Sequence, residues 1–175
     1  MRNFEQRLTG GHPNSLGNTV EIVDEILANQ ELFDELFNCY FSQDEIVRLR
    51  VSNTMKRICK EKSEYLLPYL DRFLNEIALI NQPSTKWTLA LLFEMLDKHF
   101  SEEQLEKAKS IIKHNLETES DWIVLNNSME TLAKWGKSDI ELMGWLIPNL
   151  KRLTQDERKS VAKRASKILD SVNKR

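Results

Sequence analysis

Turn-forming residues are scarce in this chain of 175 residues, which has only five glycines and four prolines. A sheet protein of this length needs a turn every few residues, so the scarcity argues against an all-β architecture and favours helices. Cysteine is scarcer still. Cys39 and Cys59 are too few for a disulfide scaffold and fit no metal or redox spacing. No apolar run approaches the roughly 20 residues that span a bilayer. The N-terminal stretch is polar and lacks the apolar core of a secretory signal, so a soluble, cytoplasmic chain is expected. A net charge of −2 excludes strong electrostatic steering by the molecule as a whole.

What is present describes a folded protein: 41% hydrophobic and 30% charged residues. The charge is uneven. Residues 151–175 hold nine basic and three acidic side chains, a local +6 that leaves −8 on the first 150. Such a block is usually a solvated terminal helix, and less often a surface for an acidic partner or nucleic acid.

Apolar spacing divides the chain into paired helical stretches with short polar breaks. The expected pairs are 31–41 with 44–62, 63–80 with 85–100, 102–117 with 121–137, and 139–153 with 156–173. A capping helix is expected near 15–28, with Asn14 or Ser15 at its N-terminus. The second helices share apolar or small residues at i, i+4, i+8 and i+11. The series read Val47, Val51, Met55, Ile58; then Trp87, Leu91, Met95, broken by Lys98; then Val124, Ser128, Leu132, Trp135; then Val161, Ala165, Leu169, Val172. Their starting positions lie 40, 37 and 37 residues apart. A near-constant period of this size signals an array of helical hairpins, each burying its apolar face on the next. The expected fold is therefore all-α: a superhelix of about four hairpins (31–62, 63–100, 101–137 and 138–175) after an N-terminal segment and cap (1–30), all in one domain. An irregular helical bundle is the alternative.

Two segments resemble HEAT repeats. Ser42-Gln43-Asp44-Glu45-Ile46-Val47-Arg48 is similar to that family's inter-helix turn and its Val-Arg pair, and Leu146-Ile147-Pro148-Asn149-Leu150 is similar to the Leu-x-Pro-x-Leu element of its first helices. The resemblance covers residues 31–174. The Asp and Arg that form a ladder between HEAT repeats would fall at Ser42, Gln82, Glu119 and Asp156, and at Arg48, Thr88, Leu125 and Ala162; no repeat has both.

Catalytic patterns are missing. His12, His99 and His114 stand at no metal spacing, and no metal or cofactor is expected. Gly10-Gly11-His12-Pro13-Asn14-Ser15-Leu16-Gly17-Asn18-Thr19 superficially suggests a phosphate loop, but five residues separate Gly11 from Gly17 and Asn18 stands where the loop needs Lys. A turn ahead of the first helix is the simpler reading.

The resemblance implies that second helices line a concave side. Positions on it that face away from the shared core would include Asn53, Lys56, Leu89, Phe93, Leu96 and Asn126, with Trp122 at the edge. The stretch 87–100 is apolar over a wide arc, from about 40° to about 240° at 100° per residue. Two readings follow. Leu89, Phe93 and Leu96 form an apolar hollow, rimmed by Asn53, Lys56, Trp122 and Asn126, for a partner helix or peptide; or they are core. The expected function is a non-catalytic interaction module or scaffold binding a protein partner on its concave face. The alternative is a nucleic-acid-binding protein that uses the basic row Lys159, Lys163 and Lys167 of its last repeat, as the HEAT-like alkylpurine DNA glycosylases use a basic concave side.

Overall fold

The fold is given by a computed structural model that describes residues 3–12 and 14–173. Lys174, expected on the basic terminal helix, and Pro13 lie outside the described residues. Among those described, the chain is all-helical with no strand. Contacts divide it into two compact units, Met1–Ser101 and Glu102–Arg175, and the division in sequence falls where the second expected hairpin ends.

The first unit begins with a short helix that the apolar pattern does not announce, α1 (Phe4–Leu8), and continues through α2 (Thr19–Ala28), α3 (Phe33–Asn38), α4 (Glu45–Glu61), α5 (Leu70–Asn75) and α6 (Pro83–Leu96). The helices α3 and α5 are shorter than the uniform stretches expected for them. Each is flanked by 3-10 turns, at Gln30–Leu32 and Cys39–Phe41, and at Ser63–Tyr65, Leu67–Tyr69 and Ile77–Leu79. Pro68, inside the second of these stretches, cannot donate to a helical ladder. Rings fill the space between α3 and α5. Phe37 packs on Tyr69 at 4.7 Å and on Phe73 at 5.1 Å between centroids, and Phe33 on Tyr69 at 4.9 Å. The Arg72 guanidinium lies 4.4 Å over the Phe37 ring and bonds to Glu76 at 3.0 Å.

Helix α4 is the hub of this unit and touches α1, α2, α6 and the turns at Cys39–Phe41 and Ser63–Tyr65. It starts after Ser42-Gln43 because Asp44 accepts from the Ile46 N–H at 2.8 Å, and α6 starts on Pro83, whose missing donor costs nothing at a first helical position. A hydrogen-bonded link joins the first turns of α4 to the N-terminal end of α6. Arg48 Nε donates to Gln82 Oε1 at 2.6 Å, its Nη1 to the Ser42 carbonyl at 2.5 Å, and Gln82 Nε2 to the Glu45 carbonyl at 2.9 Å.

The second unit contains α7 (Glu102–Thr118), α8 (Trp122–Trp135), α9 (Ile140–Leu153) and α10 (Lys159–Asn173). Here α8 is the hub, packed on α7, α9 and α10. Asp121 caps α8 by accepting from Ile123 and Val124, and Asp139 caps α9 by accepting from Leu142 at 2.9 Å. Arg158 bonds to Asp156 at 2.6 Å and donates to the Ser120 carbonyl, so one inter-helix turn is tied to the next.

The glycine-containing segment before α2 has an unforeseen role. Arg50, on α4, is only 2% exposed. Its guanidinium donates to the carbonyls of Leu8 (2.6 Å), Thr9 (3.1 Å), Ser15 (3.3 Å) and His12 (3.4 Å). The loop presents oxygens to a cation, the opposite polarity from a phosphate loop, whose N–H groups face an anion. Gly17 has φ +52°, and a Cβ there would lie 3.0 Å from Arg50 Cζ. Neither Asn14 nor Ser15 caps α2; Asn18 occupies that position and its side chain donates instead to the Arg7 carbonyl at 3.2 Å.

The cage gives a graded expectation. Gly10→Ala, at φ +71° with nothing near its Cβ, costs about 1 kcal/mol for the left-handed backbone. Gly17→Ala costs more, because it also displaces the guanidinium, and Arg50→Met costs about 3 kcal/mol through the uncapped carbonyls. Chemical denaturation of the three variants checks this; equal losses for both glycines would contradict the contact.

Candidate functional site

The burial pattern corrects the register read for α6. The i, i+4, i+8, i+11 rows of α4 (Val47, Val51, Met55, Ile58) and α8 (Val124, Ser128, Leu132, Trp135) are buried. The row starting at Trp87 is not, since Trp87, Leu91 and Met95 are all half-exposed. The buried row of α6 is Thr85, Leu89, Phe93 and Leu96. A polar residue at its first position hid it, and the apolar Trp87 two residues later stood in for it. With Thr85 as the start, the rows begin at 47, 85, 124 and 161, separations of 38, 39 and 37, more even than the sequence suggested. On α10 the row weakens. Val161 and Ala165 are buried, Leu169 and Val172 half-exposed, and Ile168 takes the inner place.

This disposes of the apolar hollow. Leu89, Phe93 and Leu96 are 1%, 1% and 0% exposed, and Phe93 packs edge-on against Phe100 at 5.7 Å. They are core because they occupy the positions of α6 that correspond to Val51, Met55 and Ile58 of α4. The rim residues divide between the units. Asn53 and Lys56 are half-buried on α4; Trp122 is 50% exposed at the start of α8; Asn126 is buried, with Oδ1 unpaired. Phe93→Ala should therefore lower stability by about 3–5 kcal/mol, measured by thermal or denaturant unfolding; a loss under 1 kcal/mol would restore the hollow.

One rim residue does lie in an open groove. Between α2 and α4 is a cleft of about 530 Å³. Val20, Val23 and Leu27 form its α2 wall, and Lys56, Arg57 and Lys60 its α4 wall, with Asp24 and Glu61 also in the lining. Val20 is 46% exposed. Burial, then the neighbouring charges of Lys60 and Arg57, hold the Lys56 ammonium below the ordinary lysine pKa. Among the described residues no carboxylate oxygen lies within 4.0 Å of the nitrogens of these three cations. The sequence shows Lys56 and Lys60 one turn apart, but not that α2 sets an apolar stripe beside them.

A second groove, of about 550 Å³ between α7 and α9, is differently furnished. Lys109 pairs with Asp139 at 2.7 Å and Glu106 at 2.5 Å, and these bonds outweigh burial and raise its pKa. Lys113 stacks 4.6 Å from the centroid of Trp145. Its cations are engaged within the chain, so the arrangement serves packing.

Among the described residues no His, Cys, Asp and Glu side chains gather in threes able to hold a metal. Burial pushes the Cys39 thiol up to about 12 and the Cys59 thiol up to about 11, leaving both protonated near neutrality and poor nucleophiles. Among the described residues no helix is long and apolar enough to cross a membrane. Comparisons with protein-family models, with curated proteins and with solved structures found no match.

The acid limb of stability has a definite sign. The Leu142 N–H and then the Lys109 ammonium hold Asp139 below the usual carboxylate value of 3.8, and chiefly the Arg158 guanidinium does so for Asp156. A lowered folded pKa adds stability above the unfolded value and loses it as pH falls through the folded one. Unfolding followed from pH 5 downward should show the second unit weakening below about pH 3.8. Asp139→Asn, which keeps the cap but not the charge, should flatten that limb; an unchanged slope would contradict the pairing.

Proposed function

We propose that the chain is a non-catalytic interaction module, a HEAT-like array of stacked hairpins that docks a peptide or helix of a protein partner. The α2–α4 groove carries the reading: an apolar wall beside three cations with no carboxylate oxygen of the described residues within 4.0 Å. A groove of this size, with an apolar wall on one side and cations on the other, suits recognition of an amphipathic peptide. The packing of α4 beside α6 and of α8 beside α10, and the even recurrence of their buried rows, support the repeat reading.

A photo-crosslinking residue at Val20 tests it. In cell extract it should capture a protein that the same residue at Leu79, an 80% exposed position of the same unit, does not. Capture should fall about tenfold when Lys56→Glu and Lys60→Glu are combined. Equal capture from both positions, or capture indifferent to the charge reversal, would remove the docking function from this groove.

The basic face of α10 supports a second reading. Lys159, Lys163 and Lys167 are exposed in one row, while Arg164 pairs with Glu130 on α8 and Arg158 with Asp156. With about three phosphate contacts available, nucleic-acid affinity should drop by roughly the third power of salt concentration. Retention on heparin that persists in Lys163→Ala, Lys167→Ala would not come from this row.

A further inference from the structure

We infer that the occupant of the α2–α4 groove is an amphipathic helix with one acidic flank, its apolar side on Val20 and Leu27 above the buried Val23 and its carboxylates toward Lys56, Arg57 and Lys60. This rests on the docking function proposed above and names its partner class. Val20, Val23 and Leu27 stand at i, i+3 and i+7 of α2 and so form one stripe, the complement of a helix that carries its own apolar residues at that spacing. Lys56 and Lys60 stand at i and i+4 of α4, one turn apart, with Arg57 beside them.

Like charges at i, i+4 destabilise the helix that bears them, and here the repulsion is compounded by the partial burial of Lys56. Carboxylates arriving along the α4 side relieve both, since they neutralise the row and give the half-buried Lys56 a partner. Asp24 and Glu61 limit what fits. A segment acidic all round would meet them, so the acidic residues must keep to the flank beside Lys56, Arg57 and Lys60. A nucleic-acid strand satisfies neither condition: its phosphates repeat along the whole backbone, and it offers no aliphatic stripe to Val20 and Leu27. The partner chemistry that meets all three features is a protein helix with segregated apolar and acidic faces.

The test uses the full chain and two labelled helical peptides of about four turns each, identical in their leucine stripe. One carries Glu along a single flank and the other Lys at the same positions. By fluorescence anisotropy the Glu peptide should bind at least about tenfold tighter than the Lys peptide, and more weakly as salt is added. Arg57→Glu combined with Lys60→Glu, both exposed positions, should cost about tenfold in affinity, with circular dichroism and melting unchanged. Val20→Asp should cost a similar factor through the apolar wall. Lys56→Met should weaken binding without lowering the melting temperature.

Equal binding of the two peptides, binding of neither, or an affinity for the Glu peptide that the charge reversal leaves intact would each overturn the acidic-helix occupant. Displacement of the Glu peptide by a single-stranded oligonucleotide competing for Lys56, Arg57 and Lys60 would overturn it in favour of a phosphate ligand. The docking function fails separately. If capture from Val20 still depends on Lys56 and Lys60 while both peptides fail to bind, the groove docks a partner of other chemistry.

Discussion

The apolar rows along α4, α6, α8 and α10 must be covered, and in each unit two of these helices help to cover each other. Helix α4 lies against α6, and α8 against α10. The rows at Val47, Thr85, Val124 and Val161 are the positions at which this happens, and their spacing holds within two residues along the chain. The first helices vary more freely. Helices α3 and α5 break into 3-10 turns and interlock through rings, whereas α7 and α9 are continuous, and α9 even contains Pro148. The fold tolerates this because the cover on the second helices is kept in both forms.

In the first unit α4 also has to accommodate Arg50. A guanidinium withdrawn from water needs partners for its donors, and the only other route is to leave it exposed. The loop after α1 supplies carbonyls, including those at the C-terminal end of α1, where the helix dipole favours a cation. Positive φ at Gly10, Gly11 and Gly17 lets the backbone pass this close. Closing the loop sets α2 against α4, helped by Arg7 bonding to Glu25 at 2.6 Å. The groove whose walls are Val20, Val23 and Leu27 on one side and Lys56, Arg57 and Lys60 on the other is thus a product of how α4 is covered.

Most of the helices were legible in the sequence because they are long and strongly periodic. The boundaries at Asp44, Pro83, Asp121 and Asp139 are capping chemistry that can be read directly. Three things were hidden. The core row of α6 begins with Thr85, a polar residue, so a search for apolar positions slid to Trp87 and left Leu89, Phe93 and Leu96 open between hollow and core. The helix α1 is too short to show a period, and Phe4 and Leu8 look like scattered residues until Arg50 closes the loop over them. The link between Arg48 and Gln82 pairs a guanidinium with an amide instead of a carboxylate, so a search for opposite charges misses it. Of the residues proposed for binding, Lys56 lies in the groove between α2 and α4; its apolar counterpart comes from α2, some 30 residues earlier in the chain, and pairing of that kind is set by tertiary packing.

Native-state hydrogen exchange tests the central constraint most directly, because amides in the elements that carry the packing open only with their whole unit. In the first unit the slowest amides should fall at the row positions of α4 and α6, ahead of α3 and α5. In the second they should fall on α8 and α10, ahead of α7 and α9. If α3, α5 or α7 exchanges as slowly as α4 or α8, or if the α6 residues around Trp87, Leu91 and Met95 outlast those around Leu89 and Phe93, then the second helices do not carry the fold.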